Sequence, residues 1–148
     1  MAISNSAKQS AVVGQDDLLD ALVQTSFVTM AVLSKVGAEH DLSLTQLRVL
    51  AILRDRRLKM TELADYLGLD KSTMTGLVDR AEKRGLLERV RNPADGRAVD
   101  VRITPVGAEL AERLSARVAR SLSPMTSTLT RADQHRLGQL LANMLDRP

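Results

Sequence analysis

The sequence predicts a mainly α-helical chain with one small β-hairpin. Three features carry that reading. Apolar residues recur every three or four positions along most of the 148 residues, the spacing of one helical face. Between Val99 and Ile103 the period drops to two, with Val99, Val101 and Ile103 alternating against Asp100 and Arg102, as in a half-buried strand. Gly68, Gly85 and Pro105 stand where one pattern gives way to the next.

Bulk composition narrows the possibilities. Length suits one domain of ordinary size, and a hydrophobic share of 44% is enough for a core. That core is almost wholly aliphatic, since Phe27 and Tyr66 are the only aromatics. Cysteine is absent, which excludes disulfides, cysteine-ligated zinc and thiol redox sensing. The opening MAISNSAKQSAVVGQ has no apolar run of signal-peptide length, and no later segment reads as a membrane span. The expectation is a soluble, cytoplasmic chain without membrane contact, with a flexible tail over residues 1–15 and one domain over 16–148. Net charge is +3. Residues 46–102 hold 13 Lys/Arg against nine Asp/Glu, the rest eight against nine. That bias is compatible with nucleic acid, and an ordinary solvated surface accounts for it equally.

Each element has its own signal. A first helix from Asp16 to about Glu39 carries Leu19, Leu22, Val23, Phe27, Met30 and Leu33 on one stripe. Ser43 and Gln46 have the spacing of a capping box for a second helix through Leu47, Leu50, Ala51 and Leu53, which the charged residues 54–57 interrupt. A short third helix turns Leu63, Ala64 and Leu67 inward and stops at Gly68, suited to a left-handed turn. Asp70 caps a helix from Lys71 to Arg84 whose inner face is Met74, Leu77, Val78 and Ala81. Residues 86–91 and 99–103 then pair as a hairpin. Thr104 and Pro105 start a helix bearing Leu110, Leu114, Val118 and Leu122, and Pro124 is expected to kink or end it near residues 121–123. Thr130 caps a last helix with Leu137, Leu140, Leu141, Met144 and Leu145 on one side.

The centre of this order, residues 43–104, has the layout of a winged helix-turn-helix. Two short helices joined by a tight turn can set the second in a DNA major groove. Such a pair needs a small residue at the crossing, a turn residue tolerant of positive φ and apolar anchors on the second helix; Ala64, Gly68 and Met74 answer those needs. A purely structural helical hairpin shows parts of the same pattern. The outer face of the second helix points further toward DNA. Lys71, Ser72, Thr73, Thr75, Gly76 and Arg80 are short or basic. They let backbone approach the duplex, donate to phosphates or meet base edges, with the helix dipole favouring a phosphate. Asp79 and Glu82 carry the ordinary solvated signature, so the reading surface is confined to the first turns. In RNPADGRAVDVRIT the hairpin tip holds Asp95, Gly96 and Arg97. Arg97 is expected to reach into the minor groove, preset by a bidentate pair with Asp95. The competing reading is a plain turn with an exposed ion pair.

The run DKSTMTGLVDRAEKRGLLERVRNPADGRAVDVRITPVG resembles the signature of the MarR (multiple-antibiotic-resistance regulator) family, and DLSLTQLRVLAIL resembles the segment preceding that family's helix-turn-helix. The likeness spans about Leu42 to Gly107. It implies a homodimeric bacterial transcription regulator, usually a repressor, on a pseudo-palindromic double-stranded operator. It implies DNA contact at Ser72, Thr73, Thr75 and Arg80, with Asp95 and Arg97 as the wing's Asp-x-Arg pair. Two positions depart from the family pattern. Gly76 stands where many members have a base-reading arginine, and Gly96 replaces a frequent second basic residue at the wing tip.

The chain ends add the remaining expectations. Helices over 16–40 and 105–148 carry stripes that a small winged domain cannot cover, and the resemblance implies that they interlock as dimerisation helices about a two-fold axis. Intramolecular packing is the alternative. The resemblance also implies release from DNA by a small aromatic or phenolic effector. Phe27 reads as core rather than as the wall of an effector pocket. His40 and His135 are isolated, so neither a metal nor a cofactor is expected. With no nucleophile grouping and no phosphate loop, an enzyme is not expected. A winged-helix protein-interaction module without DNA binding stays as the second hypothesis; it calls for an acidic or apolar outer face on the helix from Lys71.

Overall fold

The structure, a computed structural model, describes residues 14–146. The expected tail falls outside them except for Gly14 and Gln15, and Gln15 already opens the first helix. In chain order the elements are α1 (Gln15–Ala38), α2 (Leu44–Leu53), β1 (Leu58–Lys59), α3 (Met60–Leu67), α4 (Lys71–Lys83), β2 (Leu87–Arg91), β3 (Val99–Ile103), α5 (Pro105–Thr126) and α6 (Arg131–Leu145). The predicted class stands: mainly α, with a small antiparallel wing sheet.

Local chemistry sets most boundaries where the sequence puts them. The capping box at α2 is reciprocal: Gln46 N donates to Ser43 Oγ at 3.1 Å and Ser43 N to Gln46 Oε1 at 2.8 Å. Thr104 Oγ1 accepts from Gly107 N at α5, and Thr130 Oγ1 from Asp133 N at α6. Of the kink or end expected at Pro124, the end does not occur there, because α5 runs on to Thr126. The proline has no N–H for the carbonyl of Arg120, and Ser123 Oγ donates to that carbonyl at 3.0 Å in its place.

The sheet has the order β1-β3-β2, both pairings antiparallel. Its first strand was not expected. Leu58 and Lys59 oppose Val101 and Asp100, and two residues are too few to show a period. This third strand also overturns the alternation read for β3. Asp100, placed outward by its period, is only 4% exposed, while Val99 is exposed. Arg57 Nε lies 2.9 Å from Asp100 Oδ2, and Asn92 Nδ2 donates to Oδ1 at 2.7 Å, so the buried charge is paired and hydrogen-bonded.

One core joins nearly every element. Val36 of α1, Leu53 of α2, Leu63 of α3, Met74 of α4, Leu87 of β2 and Val101 of β3 are each at most 1% exposed, and Leu110 and Leu114 of α5 close it. The ends lie outside it. Phe27, expected in the core, is 67% exposed, and α6 buries none of its residues. By length and composition alone α1 could cross a membrane, so the sequence reading that no segment could is too strict. Two ion-dipole contacts tie the C-terminal end of α1 into the fold: Arg84 Nη1 and Nη2 donate to the carbonyls of Asp41 and His40.

Gly107 marks the tightest contact. A Cβ there would stand 2.1 Å from the carbonyl oxygen of Leu86, so only glycine lets α5 start against the wing's base. Gly107→Ala should therefore destabilise by about 1–3 kcal/mol through overpacking. Gly138→Ala, with nothing within 4 Å, should instead stabilise by up to about 1 kcal/mol through helix propensity. Chemical denaturation midpoints distinguish the two, and equal shifts would contradict the packing argument.

Candidate nucleic-acid interface

The turn between α3 and α4 forms as its residues dictate. Gly68 takes φ 65° and ψ 33°, a left-handed cap. Its N–H and that of Leu69 donate to Asp65 O and Ala64 O. Met74, Leu77, Val78 and Ala81 are all buried, which aims the opposite side of α4 at solvent. There Lys71, Ser72, Thr73 and Arg80 are exposed, and Thr75 and Gly76 are half-buried. No hydroxyl of this face is shut inside the fold.

Asp70 organises the start of that face. Its Oδ1 accepts from Thr73 N and from Ser72 Oγ, both at 2.8 Å, and its Oδ2 accepts from Thr73 Oγ1 at 2.9 Å. The two hydroxyls expected to donate to phosphate thus have donors engaged by their own N-cap, and their oxygens keep only acceptor capacity. These bonds, the Thr73 amide first and then the Ser72 and Thr73 hydroxyls, lower the Asp70 pKa from 3.8 to about 2.

The wing is fastened to α4 by Arg89 of β2. Its backbone N–H donates to Glu82 Oε1 at 2.9 Å, its Nη1 pairs with Glu82 Oε2, and its Nη2 lies 2.5 Å from Asp79 Oδ1. The Asp79 hydrogen bond, with the charge of Glu82, raises the Arg89 pKa. At the tip, Asn92 Oδ1 accepts from Ala94 N and Asp95 N, both at 2.9 Å. The expected bidentate pair between Asp95 and Arg97 is not formed among the described residues. Asp95 Oδ1 accepts instead from the backbone N–H of Arg97 at 3.1 Å. This is the bond a carboxylate makes two residues on in a turn, and it leaves the guanidinium exposed.

Gly76 and Gly96 each have an arginine folded over them. Arg80 Nη1 lies 3.6 Å from where a Cβ on Gly76 would be, and Arg91 Nη2 lies 3.3 Å from that point on Gly96. Arg91 Nε also donates to Gly96 O at 3.3 Å. Sequence reasoning missed Arg89, Arg91, Asn92 and Asp100. Asn-Pro ahead of a turn was a signal for Asn92; nothing in the spacing pointed to the other three.

Away from this face, α1, α2 and α5 enclose a mostly apolar cavity of about 430 Å³. Met30, Leu33, Leu50 and Val118 line it together with Arg48 and Arg54; Phe27 does not. The Arg48 guanidinium carbon sits 5.8 Å from the centroid of the Tyr66 ring. Among the described residues no cluster of three or more His, Asp or Glu side chains could hold a metal ion.

The depressed Asp70 pKa carries a testable consequence. Its stabilising contribution is complete above 3.8 and disappears as pH falls through about 2. Thermal melts of the wild type and Asp70→Asn should differ at pH 4 and above, and the gap should close on acidification across that window. A gap that is constant with pH would refute the cap's electrostatic role.

Residues 40–98 match the MarR family. The multiple antibiotic resistance protein MarR of Salmonella typhimurium is 34% identical over 107 residues, covering 71% of this chain and 74% of the relative. The HTH-type transcriptional repressor IacR of Pseudomonas putida is 32% identical, over 68% of this chain and 61% of its own. The crystal structure of wild-type MarR from Escherichia coli superposes with a TM-score of 0.71 at 26% identity, covering 90% of this chain and 98% of that one. NadR in complex with 4-hydroxyphenylacetate shares the fold, at a TM-score of 0.72 and 22% identity, with 100% and 99% coverage. Built on a helix-turn-helix with a braced wing, and aligned with these regulators over most of its length, the chain belongs to the MarR family of DNA-binding transcriptional regulators.

Proposed function

We propose that the chain acts as a homodimeric repressor, holding a pseudo-palindromic operator until a small aromatic or phenolic effector releases it. The observation that carries this reading is the exposed face of α4, lined by hydroxyls and cations and flanked by a wing that Arg89 fixes to the same helix. In it, Lys71, Ser72, Thr73, Thr75, Gly76 and Arg80 enter the major groove. The wing, shaped by Asp95, brings Arg97 to the minor groove. That face is neither acidic nor apolar, which speaks against a protein-interaction module.

Three further observations support the finer points. Leu18, Leu19, Leu22 and Val23 of α1 and Leu140, Leu141 and Met144 of α6 lie exposed, and a second copy across a two-fold axis would cover them, so residues 16–40 and 105–148 act as dimerisation helices. The cavity between α1, α2 and α5 has an apolar wall and two arginines, suited to an aromatic carboxylate; NadR was solved with such a molecule. Repression is inferred from the likeness to IacR, a transcriptional repressor.

Arg97→Ala should weaken binding to DNA from upstream of the chain's own gene about tenfold, and should flatten the log–log salt slope by about 0.9. Anisotropy titrations at several salt concentrations measure both, and unchanged affinity and slope would remove the wing from the interface. Leu140→Lys should leave the far-ultraviolet spectrum intact, because Leu140 is half exposed, yet halve the mass in sedimentation equilibrium and abolish tight operator binding. A variant that stays dimeric would take α6 out of the dimer contact.

A further inference from the structure

A buried carboxylate lies behind the wing, and its two partners lead in opposite directions. Asp100 is 4% exposed on the central strand β3. On one side Arg57, just ahead of β1, brings Nε to 2.9 Å from Oδ2. On the other, Asn92 Nδ2 donates to Oδ1 at 2.7 Å. The same Asn92 uses its Oδ1 to accept from Ala94 N and Asp95 N, and Asp95 Oδ1 accepts from Arg97 N. An ion pair followed by hydrogen bonds therefore leads from the sheet's far edge to the backbone of Arg97.

Burying a carboxylate is costly unless it is paired, and removing one partner leaves a charge that the interior cannot solvate. An apolar residue at position 100 would serve the core at least as well. What the buried aspartate adds is direction: it fixes the Asn92 amide in the one orientation that presents Oδ1 to the turn. The turn also has backbone bonds, Asn92 N to Ala98 O and Ala98 N to Asp95 O, which close it over Gly96 and Arg97; the Asn92 and Asp95 side chains brace the arm that leads into it.

We propose that Arg57, Asp100 and Asn92 are positioning residues for DNA binding, holding the wing tip so that Arg97 meets the duplex in a preset direction. The proposal rests on the wing contact argued above. A preset cation gains affinity because less freedom is lost on binding.

The test is a double-mutant cycle on the full chain. The probe is a labelled duplex recovered from a random library by selection with the wild-type protein. Kd is read at fixed salt and well below every variant's melting temperature. Asp100→Val removes the buried charge and puts a β-branched residue in a strand. It should weaken binding about fivefold, and by less than about twofold when added to Arg97→Ala, since coupled residues are non-additive. Asn92→Ala cuts the path at a half-buried residue, should behave likewise, and decides the matter if Asp100→Val folds poorly. An equal loss with and without Arg97 overturns the positioning role while the wing contact stands, and so does unchanged affinity in both variants. If Arg97→Ala alone binds normally, the wing contact fails and the positioning role falls with it.

Discussion

Arg89 makes one surface out of two elements. A β-hairpin alone is marginal in water, and a helix of 13 residues gains most of its stability from packing. The guanidinium bridges Asp79 and Glu82 on successive turns of α4, and the same residue's amide is held by Glu82. Its side chain is only 27% exposed, so these bonds are screened less than those of a surface pair. Without the arginine, two carboxylates three positions apart on one helix would repel each other, and the hairpin would be held only by its core residues Leu87 and Val101 and by the pairing of β3 with β1. The spacing between α4 and the wing tip, which any two-groove contact requires, follows from this junction.

The brace also sorts the basic residues. Arg57, Arg89 and Arg102 are taken up by Asp100, by Asp79 with Glu82, and by Glu88. Arg84 is committed to the carbonyls of His40 and Asp41, in the turn after α1. Lys71, Arg80, Arg91 and Arg97 form no ion pair among the described residues, and they lie on α4 or the wing. Eight of the 13 cations of residues 46–102 thus fall into a framework set of four and an outward set of four. Gly76 and Gly96 belong to this division: each opens room that a neighbouring arginine covers, Arg80 over Gly76 and Arg91 over Gly96.

Much of this was legible in the sequence because it is local. Caps such as Ser43, Asp70 and Thr104, and the left-handed Gly68, depend on residues within three or four positions, and the apolar period fixed the inner face of α4. What escaped depends on partners far along the chain. β1 is two residues long and exists only because β3, some forty positions on, offers an open edge. Asp100 alternates like an outward residue, and the arginine that makes its burial tolerable comes from before β1. The Asp95–Arg97 pair was read as side chain to side chain, whereas the carboxylate takes the nearer backbone donor, a bond that costs no long side chain its freedom. Pro124 was read without the serine that repairs its missing bond.

The cavity and the wing share a segment of chain. Leu50, Ala51 and Arg54 line the cavity from the end of α2, and the chain reaches Arg57 three residues later, where it grips Asp100. Arg54 is itself paired with the neighbouring Asp55 at 3.5 Å. A molecule drawing Arg54 into the cavity would pull on a turn with little slack, because β1 is pinned to β3 immediately after it. Coupling between sites needs an element whose arrangement both bias. The turn over residues 54–57 meets both, lining the cavity with Arg54 and reaching the wing through Arg57.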